Sequence, residues 1–165
     1  VATGESISVI VIDVDHFKDV NDRCGHHVGD AVLHMVGSCL RRSLRSYDIV
    51  ARYGGDEFAA ICFGCRPEEI DIPLTRLQQE IRKLSIPADS GIHEITLSLG
   101  AATLHDGHRE WKPTELIEAA DKCLYRAKET GRACAWRTEI TNGHEVGNVE
   151  MVRVDPPARS SVSTL

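Results

Sequence analysis

Ile7-Ser8-Val9-Ile10-Val11-Ile12 is a near-continuous apolar run that stops abruptly at Asp13-Val14-Asp15. A half-exposed strand would alternate with polar residues, whereas an unbroken run suits a central strand covered on both faces. Such a strand demands helices packed on either side of a sheet, and it delivers acids at its C-terminal end. The 165 residues fit one domain with a single core. Hydrophobic residues at 42% and charged residues at 27% give an ordinary globular balance.

The remaining pattern supplies that sheet and its covering. A short helix is expected from about Asp15 to Asp22, with a loop at Cys24-Gly25-His26. Gly29-Asp30 then leads into Val32, Leu33, Val36, Cys39, Leu40 and Leu44, whose three- and four-residue spacing marks an amphipathic helix. Ile49 to Tyr53 and Glu57 to Phe63 read as strands, and Gly54-Gly55 between them is expected to supply the positive φ angles of a tight hairpin turn. A helix from near Pro73 would bury Leu74, Leu77, Ile81 and Leu84. Ile92 to Thr103 reads as a strand with an irregular start. Pro113-Thr114-Glu115 opens a helix carrying Leu116, Ile117, Ala120, Leu124 and Ala127, stopped by Gly131. A last strand is expected at about Ala133 to Arg137.

The order β-α-α-β-β-α-β-α-β predicts an α/β (α+β) fold, a central mostly antiparallel five-stranded sheet flanked by helices. Residues 1–138 are expected to form the domain. Residues 139–165, rich in Asn, Gly, Pro and Ser, read as a tail or linker in which Val149 to Val154 is a candidate extra strand. The chain begins with Val1 rather than Met, so an excised piece of a longer protein is expected.

Composition excludes several classes of function. A net charge of −6 argues against general binding of nucleic-acid backbones. No apolar run approaches the ~20 residues that span a bilayer, and no secretory signal is present, so no membrane contact and a cytoplasmic location are expected for this fragment. A parent protein anchored in a membrane is compatible with that. The six cysteines lack framework spacing. Cys62 and Cys65 form a lone C-x-x-C, a redox pair or half a zinc site in one reading, plain reduced thiols in and beside an apolar strand in the preferred one. The histidines offer no metal cluster. His26 lies in the first interhelical loop, and His16, His27, His34, His93, His105, His108 and His144 read as surface residues.

Asp13 ends a buried strand and Asp56 follows a tight turn. An unpaired carboxylate is expensive to desolvate, and if the two strands are neighbours both acids can converge on one hard cation such as Mg²⁺. The plain alternative is two exposed turn residues. Backbone N–H groups at Phe17-Lys18, where strand gives way to helix, can cradle phosphate oxygens. Asn21 and Asp30 offer an amide and a carboxylate, a pair able to read a guanine edge. Each also suits a helix cap, Asp30 in particular. Lys128 and Arg132, either side of Gly131, can meet a triphosphate as point charge and fork, or simply complement a helix C-terminus.

Asp13-Val14-Asp15-His16-Phe17-Lys18, Asn21-Asp22, Gly25-His26, Gly29-Asp30 and Arg52-Tyr53-Gly54-Gly55-Asp56-Glu57-Phe58 resemble the GGDEF domains of diguanylate cyclases. So do Thr96-Leu97-Ser98-Leu99-Gly100 and Ala119, Asp121, Leu124, Tyr125, Ala127, Lys128, Gly131 and Arg132. The resemblance runs in order from about residue 7 to 137. It implies a nucleotidyl-cyclase or palm-like fold and the joining of two GTP molecules into cyclic di-GMP with release of two pyrophosphates. It further implies Mg²⁺, or Mn²⁺ in its place, on Asp13, the Val14 carbonyl and Asp56. Guanine would be read by Asn21 and Asp30, with His26 in the same substrate loop. Phe17 and Lys18 would lie near the phosphates, and Lys128 and Arg132 at the β/γ end. Asp56, Glu57 and Lys18 are the candidate catalytic residues. A symmetric product implies a homodimer, two GTP-loaded domains facing each other across a two-fold axis.

Arg45-Ser46-Tyr47-Asp48 also resembles the family's R-x-x-D product-inhibition motif, which implies cyclic di-GMP as an inhibitor bound by Arg45 and Asp48. Without the resemblance they read as a helix-end Arg and a turn-forming Asp. Glu80 stands where the family has a second arginine, with Arg76 and Arg82 as nearby substitutes. Only Val1 to Ser6 precede the first strand, where the family has a D-x-L-T-x-L-x-N-R segment, and Ala133 replaces the usual Asn. Two rival readings share these residues. One is a non-catalytic GTP or cyclic di-GMP regulatory domain, against which the intact Asp13, Asp56, Glu57 and Lys128 argue. The other is a related nucleotide cyclase with a different product, against which Asn21 and Asp30 favour guanine.

Overall fold

The computed structural model describes residues 6–88, 91–104, 112–141 and 144–152. The apolar run forms β1 (Ile7–Val14), which pairs antiparallel with β3 (Glu57–Phe63) on one side and β6 (Leu97–Leu104) on the other. Alternation along a strand sends successive side chains to opposite faces. Val9 and Val11 pack with Leu116, Ala119, Ala120 and Leu124 of α4 (Pro113–Glu129). Ile10 and Ile12 join the larger cluster with Val32, Leu33, Val36 and Leu40 of α2 (His26–Ser43) and Leu74, Leu77 and Ile81 of α3 (Asp71–Ile81). Both faces are covered, which is why the run carries so few polar residues.

The sheet order is β2-β3-β1-β6-β7-β8, with β2 at Ile49–Arg52, β7 at Ala135–Thr141 and β8 at His144–Val152. Only β6 and β7 run parallel; the other pairs are antiparallel, as expected. The strand count differs from expectation. A sixth strand, β8, comes from the segment read as a tail, and it covers what would be the open edge of β7. Its alternation delivers buried Val152 to the core, and Glu150 reaches Arg137 at 2.9 Å. Residues 153–165, including the end of the candidate strand Val149 to Val154, lie outside the described residues, as do His105 and His108.

The strand expected at 92–103 is two strands. β4 (Ser85–Ala88) and β5 (Gly91–Glu94) make a separate ladder, and β6 starts only at Leu97, opposite Val14. The break has a cause: Thr96 is an anchor point, its carbonyl accepting from Asp15 N at 3.0 Å and its hydroxyl donating to the Asp15 carboxylate at 2.7 Å.

α1 (Phe17–Cys24) buries none of its residues and rests on α2. Gly25, at φ 82, is the whole connection between them. α2 therefore starts at His26, earlier than expected, and Asp30 sits inside the helix rather than at its cap. Gly100 lets α4 lie directly on β6, because a Cβ there would fall 2.1 Å from Leu124 N. Cys39, Cys62, Cys65 and Cys123 are buried and none of them is in a disulfide. Burial pushes the Cys62 thiol up to about 12. No helix among the described residues is long and apolar enough to cross a membrane.

Candidate active site

The β2–β3 hairpin folds over the C-terminal end of β1. Asp13 lies in register with Glu57, and Val14 N donates to Asp56 O at 3.2 Å, so Asp13, Val14, Asp56 and Glu57 share one corner of the sheet. The turn is not built as expected: neither Gly54 nor Gly55 has a positive φ. Four residues, Tyr53 to Asp56, separate the strands, a loop long enough to close without the left-handed pair that a two-residue turn requires. A Cβ at Gly54 would sit 2.8 Å from Glu57 Oε2, so a side chain there would displace the Glu57 carboxylate from its present position. Arg52 holds the loop, its Nε donating to Gly54 O at 3.2 Å and its Nη2 to Gly55 O at 2.6 Å.

Beside this corner lies a cleft of ≈ 240 Å³ lined by Phe17, Lys18, Asn21, His26, Asp30 and Asp56, together with Leu33, Arg52 and Gly55. Six of the residues singled out from sequence thus meet across α1, α2 and the hairpin loop. Gly29 makes the junction of the two helices: a Cβ there would be 1.9 Å from Asn21 Oδ1 and 3.2 Å from the Phe17 ring. Asn21 is therefore pressed against α2 at Gly29, the residue before the exposed Asp30. A second groove of ≈ 530 Å³ continues from Asp30, Leu33 and Arg52 along α2.

From the opposite face, α4 sends Lys128 to the same corner, where its Nζ donates to Asp13 Oδ2 at 2.7 Å. Arg132 is exposed on the turn beyond α4, at φ 63. Asp121, two turns before Lys128, lies near Glu57; desolvation raises its carboxyl above the usual range, and the charges of Glu57 and Glu118 push the same way. Asp15 faces inward and accepts from Thr96 Oγ1, from Ser98 Oγ at 2.6 Å and from Ala133 N at 3.0 Å. Sequence reading missed Asp15 and Arg52 as organisers of the site. Their signal was adjacency to the two key acids, but their partners cannot be inferred from spacing.

Asp13 is only 9% exposed, and burial raises its carboxyl above the ordinary range. The Lys128 hydrogen bond and charge oppose that rise, while the charges of Asp56 and Asp15 add to it. One ammonium thus faces several carboxylates. A hard divalent cation fits such a corner, for Asp13, Asp56 and the Val14 carbonyl are all oxygen donors. Among the described residues no group of three or more His, Cys, Asp or Glu side chains closes a cage.

Arg45 and Asp48 lie apart from this corner. Asp48 is buried, with Oδ2 accepting from Arg45 N at 2.9 Å and Oδ1 from Phe63 N at 3.3 Å, so the carboxylate shapes its own loop. Arg45 is exposed and donates to Tyr47 Oη at 3.0 Å. Of the two substitute arginines, Arg76 lines the same small hollow as Arg45 and Asp48. Arg82 instead donates to Ala133 O at 3.3 Å.

The family described as "Diguanylate cyclase, GGDEF domain" matches residues 1–134. Diguanylate cyclase DosC of Escherichia coli K12 is 39% identical over 131 residues, which cover 79% of this chain and 28% of that protein. The uncharacterized protein YhcK of Bacillus subtilis is 39% identical over 126 residues, 76% of this chain and 34% of that one. The chain therefore spans about a third of these curated relatives or less. Among solved structures, the GGDEF domain of DgcB from Caulobacter crescentus in complex with c-di-GMP is similar, with a TM-score of 0.70 at 32% identity, covering 78% of this chain and 75% of that one. The active GGEEF domain of a diguanylate cyclase from Vibrio cholerae has a TM-score of 0.70 at 27% identity, with 80% of each chain covered.

Proposed function

Because the chain belongs to the GGDEF family of diguanylate cyclase domains, we propose that it condenses two GTP molecules into cyclic di-GMP, releasing two pyrophosphates, as one half of a homodimer. The observation that carries this reading is the convergence of Phe17, Lys18, Asn21, His26, Asp30 and Asp56 on one cleft beside the Asp13–Val14 strand end.

In this reading Asn21 and Asp30 orient the guanine, and backbone amides at Phe17 and Lys18 receive phosphate oxygens. Asp13, the Val14 carbonyl and Asp56 hold Mg²⁺, or Mn²⁺ in its place. When bound there, the cation neutralises charge at the α-phosphate and acidifies the attacking 3′-hydroxyl. Lys128 and Arg132 fix the β- and γ-phosphates, and Lys18 adds positive charge beside the reacting group. Glu57, in register with Asp13, is a further carboxylate near the reacting atoms. Attack on phosphorus needs alignment and charge stabilisation more than a covalent enzyme intermediate, and a rigid corner between β1 and a hairpin supplies both. Each half-site presents one GTP, so the second nucleotide comes from a facing copy. Cyclic di-GMP is also proposed to return as an inhibitor at Arg45 and Asp48, with Arg76 as the assisting arginine.

The deciding experiment incubates the chain with GTP and Mg²⁺ at increasing protein concentration and identifies products by mass. Cyclic di-GMP is expected. Tight GTP binding without any cyclic dinucleotide at any concentration would replace this reading with that of a non-catalytic regulatory domain.

A further inference from the structure

α4 ends at Glu129, and Gly131 turns the chain at φ 110 while Arg132 N donates back to Ala127 O at 3.0 Å. That six-to-one bond is a Schellman close, which requires one left-handed residue. Here the left-handed conformation continues through Arg132 at φ 63 and Ala133 at φ 51. Neither residue type adopts it readily, so something outside the turn must hold it. Two side chains from distant elements grip Ala133. Its N–H donates to Asp15 Oδ2 at 3.0 Å, and its carbonyl accepts from Arg82 Nη2 at 3.3 Å.

Asp15 is itself immobilised. It is 7% exposed, with Thr96 Oγ1 donating to Oδ2 at 2.7 Å and Ser98 Oγ to Oδ1 at 2.6 Å. Three donors aimed at its two oxygens leave little capacity for a cation, which separates it from Asp13 two residues earlier. Beyond Thr96 and Ser98, its side chain's partner among the described residues is the turn that carries Arg132.

We propose that Asp15 is a positioning residue that sets the spacing between the metal end of the site and its triphosphate end, holding Arg132 in place through the Ala133 amide. This rests on the reading that Arg132 meets the β- and γ-phosphates. Asp15 touches neither nucleotide nor metal. Arg82 is the second hold on the same residue, through the peptide that follows it, from the C-terminal end of α3. The ligand class that senses this spacing is the nucleoside triphosphates, because guanine is held on α1 and α2, away from the turn.

The side chain's task needs acceptors rather than charge. In Asp15→Asn the amide oxygen can still accept from Ala133 N–H and the Thr96 hydroxyl, while its NH₂ donates to Ser98 Oγ, which accepts as readily as it donates. Asp15→Ala leaves the Ala133 N–H without that acceptor and frees the turn.

The test is calorimetric titration with GMP and with a non-hydrolysable GTP analogue, both with Mg²⁺, of the unsubstituted chain, Asp15→Asn, Asp15→Ala, Arg82→Ala, Arg132→Ala and the Asp15→Ala/Arg132→Ala double variant. Asp15→Ala and Arg82→Ala are expected to weaken the analogue by roughly tenfold, the scale of one misplaced charged hydrogen bond, and to leave GMP within about twofold. Asp15→Asn is expected to stay within about twofold of the unsubstituted chain for both ligands, and the double variant to bind no worse than Arg132→Ala alone. Asp15→Asn as weak as Asp15→Ala would overturn the proposal, as would equal losses for GMP and the analogue, or additive losses in the double variant. If Asp15→Ala does not fold, Arg82→Ala decides by the same selective loss. An unsubstituted chain that binds neither ligand overturns the functional reading and this proposal together; normal binding with the wrong variant pattern overturns this proposal alone.

Discussion

At the scale of single residues, the site is a set of charges placed where the fold would not choose them. The carboxyl of Asp13 is raised above its ordinary value of 3.8 because burial penalises the anion more than Lys128 rewards it. A raised carboxyl means that the folded chain holds its proton at pH values where the unfolded chain has already released it. Stability from this group is therefore greatest below pH ~3.8 and declines as pH rises through the folded-state value, so at neutral pH ionised Asp13 is a cost. Asp13→Asn is expected to be more stable than the unsubstituted chain in urea melts at pH 7, with the difference shrinking toward pH 4, while turnover is lost. An equal difference at both pH values would remove the electrostatic cause. Ala133 stores a smaller strain: a left-handed alanine costs about 1 kcal/mol that glycine does not incur, so Ala133→Gly is expected to raise stability by up to that amount in the same assay.

At the scale of elements, close approach does more than hydrophobic pattern to place the site. α4 reaches Asp13 with Lys128 only because Gly100 lets the helix backbone touch β6. In Gly100→Ala the new methyl would meet Leu124 N at 2.1 Å and Ala120 O at 2.2 Å, backbone atoms that no rotamer change can move. A loss of roughly 3 kcal/mol is expected in denaturant unfolding, and a loss under 1 kcal/mol would mean that α4 slides freely. The loop after α2 gives a contrasting case. Arg45 is exposed while the Asp48 carboxylate braces the loop, so Arg45→Ala is expected to leave stability within about 0.5 kcal/mol and to weaken inhibition by cyclic di-GMP. Unchanged inhibition would remove the regulatory role. These elements also show what the sequence made legible. β1 was readable because burial on both faces writes itself as an unbroken apolar run, and α2 and α4 because one-sided burial repeats with a period of 3.6. The break at Thr96 was not, because it is set by Asp15, 81 residues away, and the role of Gly54 was not, because it depends on where the Glu57 side chain turns. The acids, amide and cations named from motif resemblance meet around one corner of the sheet, yet the anchoring role of Asp15 stayed hidden, since hydrogen bonds across 81 or more residues leave no local period. The hold of Arg52 on Gly54 and Gly55 is local, but a side chain's return to its own turn leaves no mark in the hydrophobic pattern.

At the scale of the whole molecule, the proposed reaction makes a demand that one chain cannot meet. In the proposed reading the cleft between α1, α2 and the hairpin takes a single nucleotide, with Asp13, Asp56 and Lys128 of the same chain around it, so each chain would supply one half-site. What it lacks is the second GTP, whose 3′-hydroxyl must attack the α-phosphate of the first. Two bonds close the ring, each made at one half-site, and the pair must therefore contain two working half-sites. Titrating Asp56→Ala chain into a fixed amount of unsubstituted chain tests this directly. Asp56→Ala retains Asn21 and Asp30 for guanine, so it should still bind GTP and still enter pairs. As mixed pairs accumulate, cyclic di-GMP formation per unsubstituted chain is expected to fall, approaching the fraction of pairs that remain unmixed. Mixed pairs can make one bond, so a linear dinucleotide triphosphate should appear in the mass spectrum as the cyclic product declines. A rate indifferent to the added variant, at concentrations where the chains are shown to pair, would mean that both bonds are made within one chain.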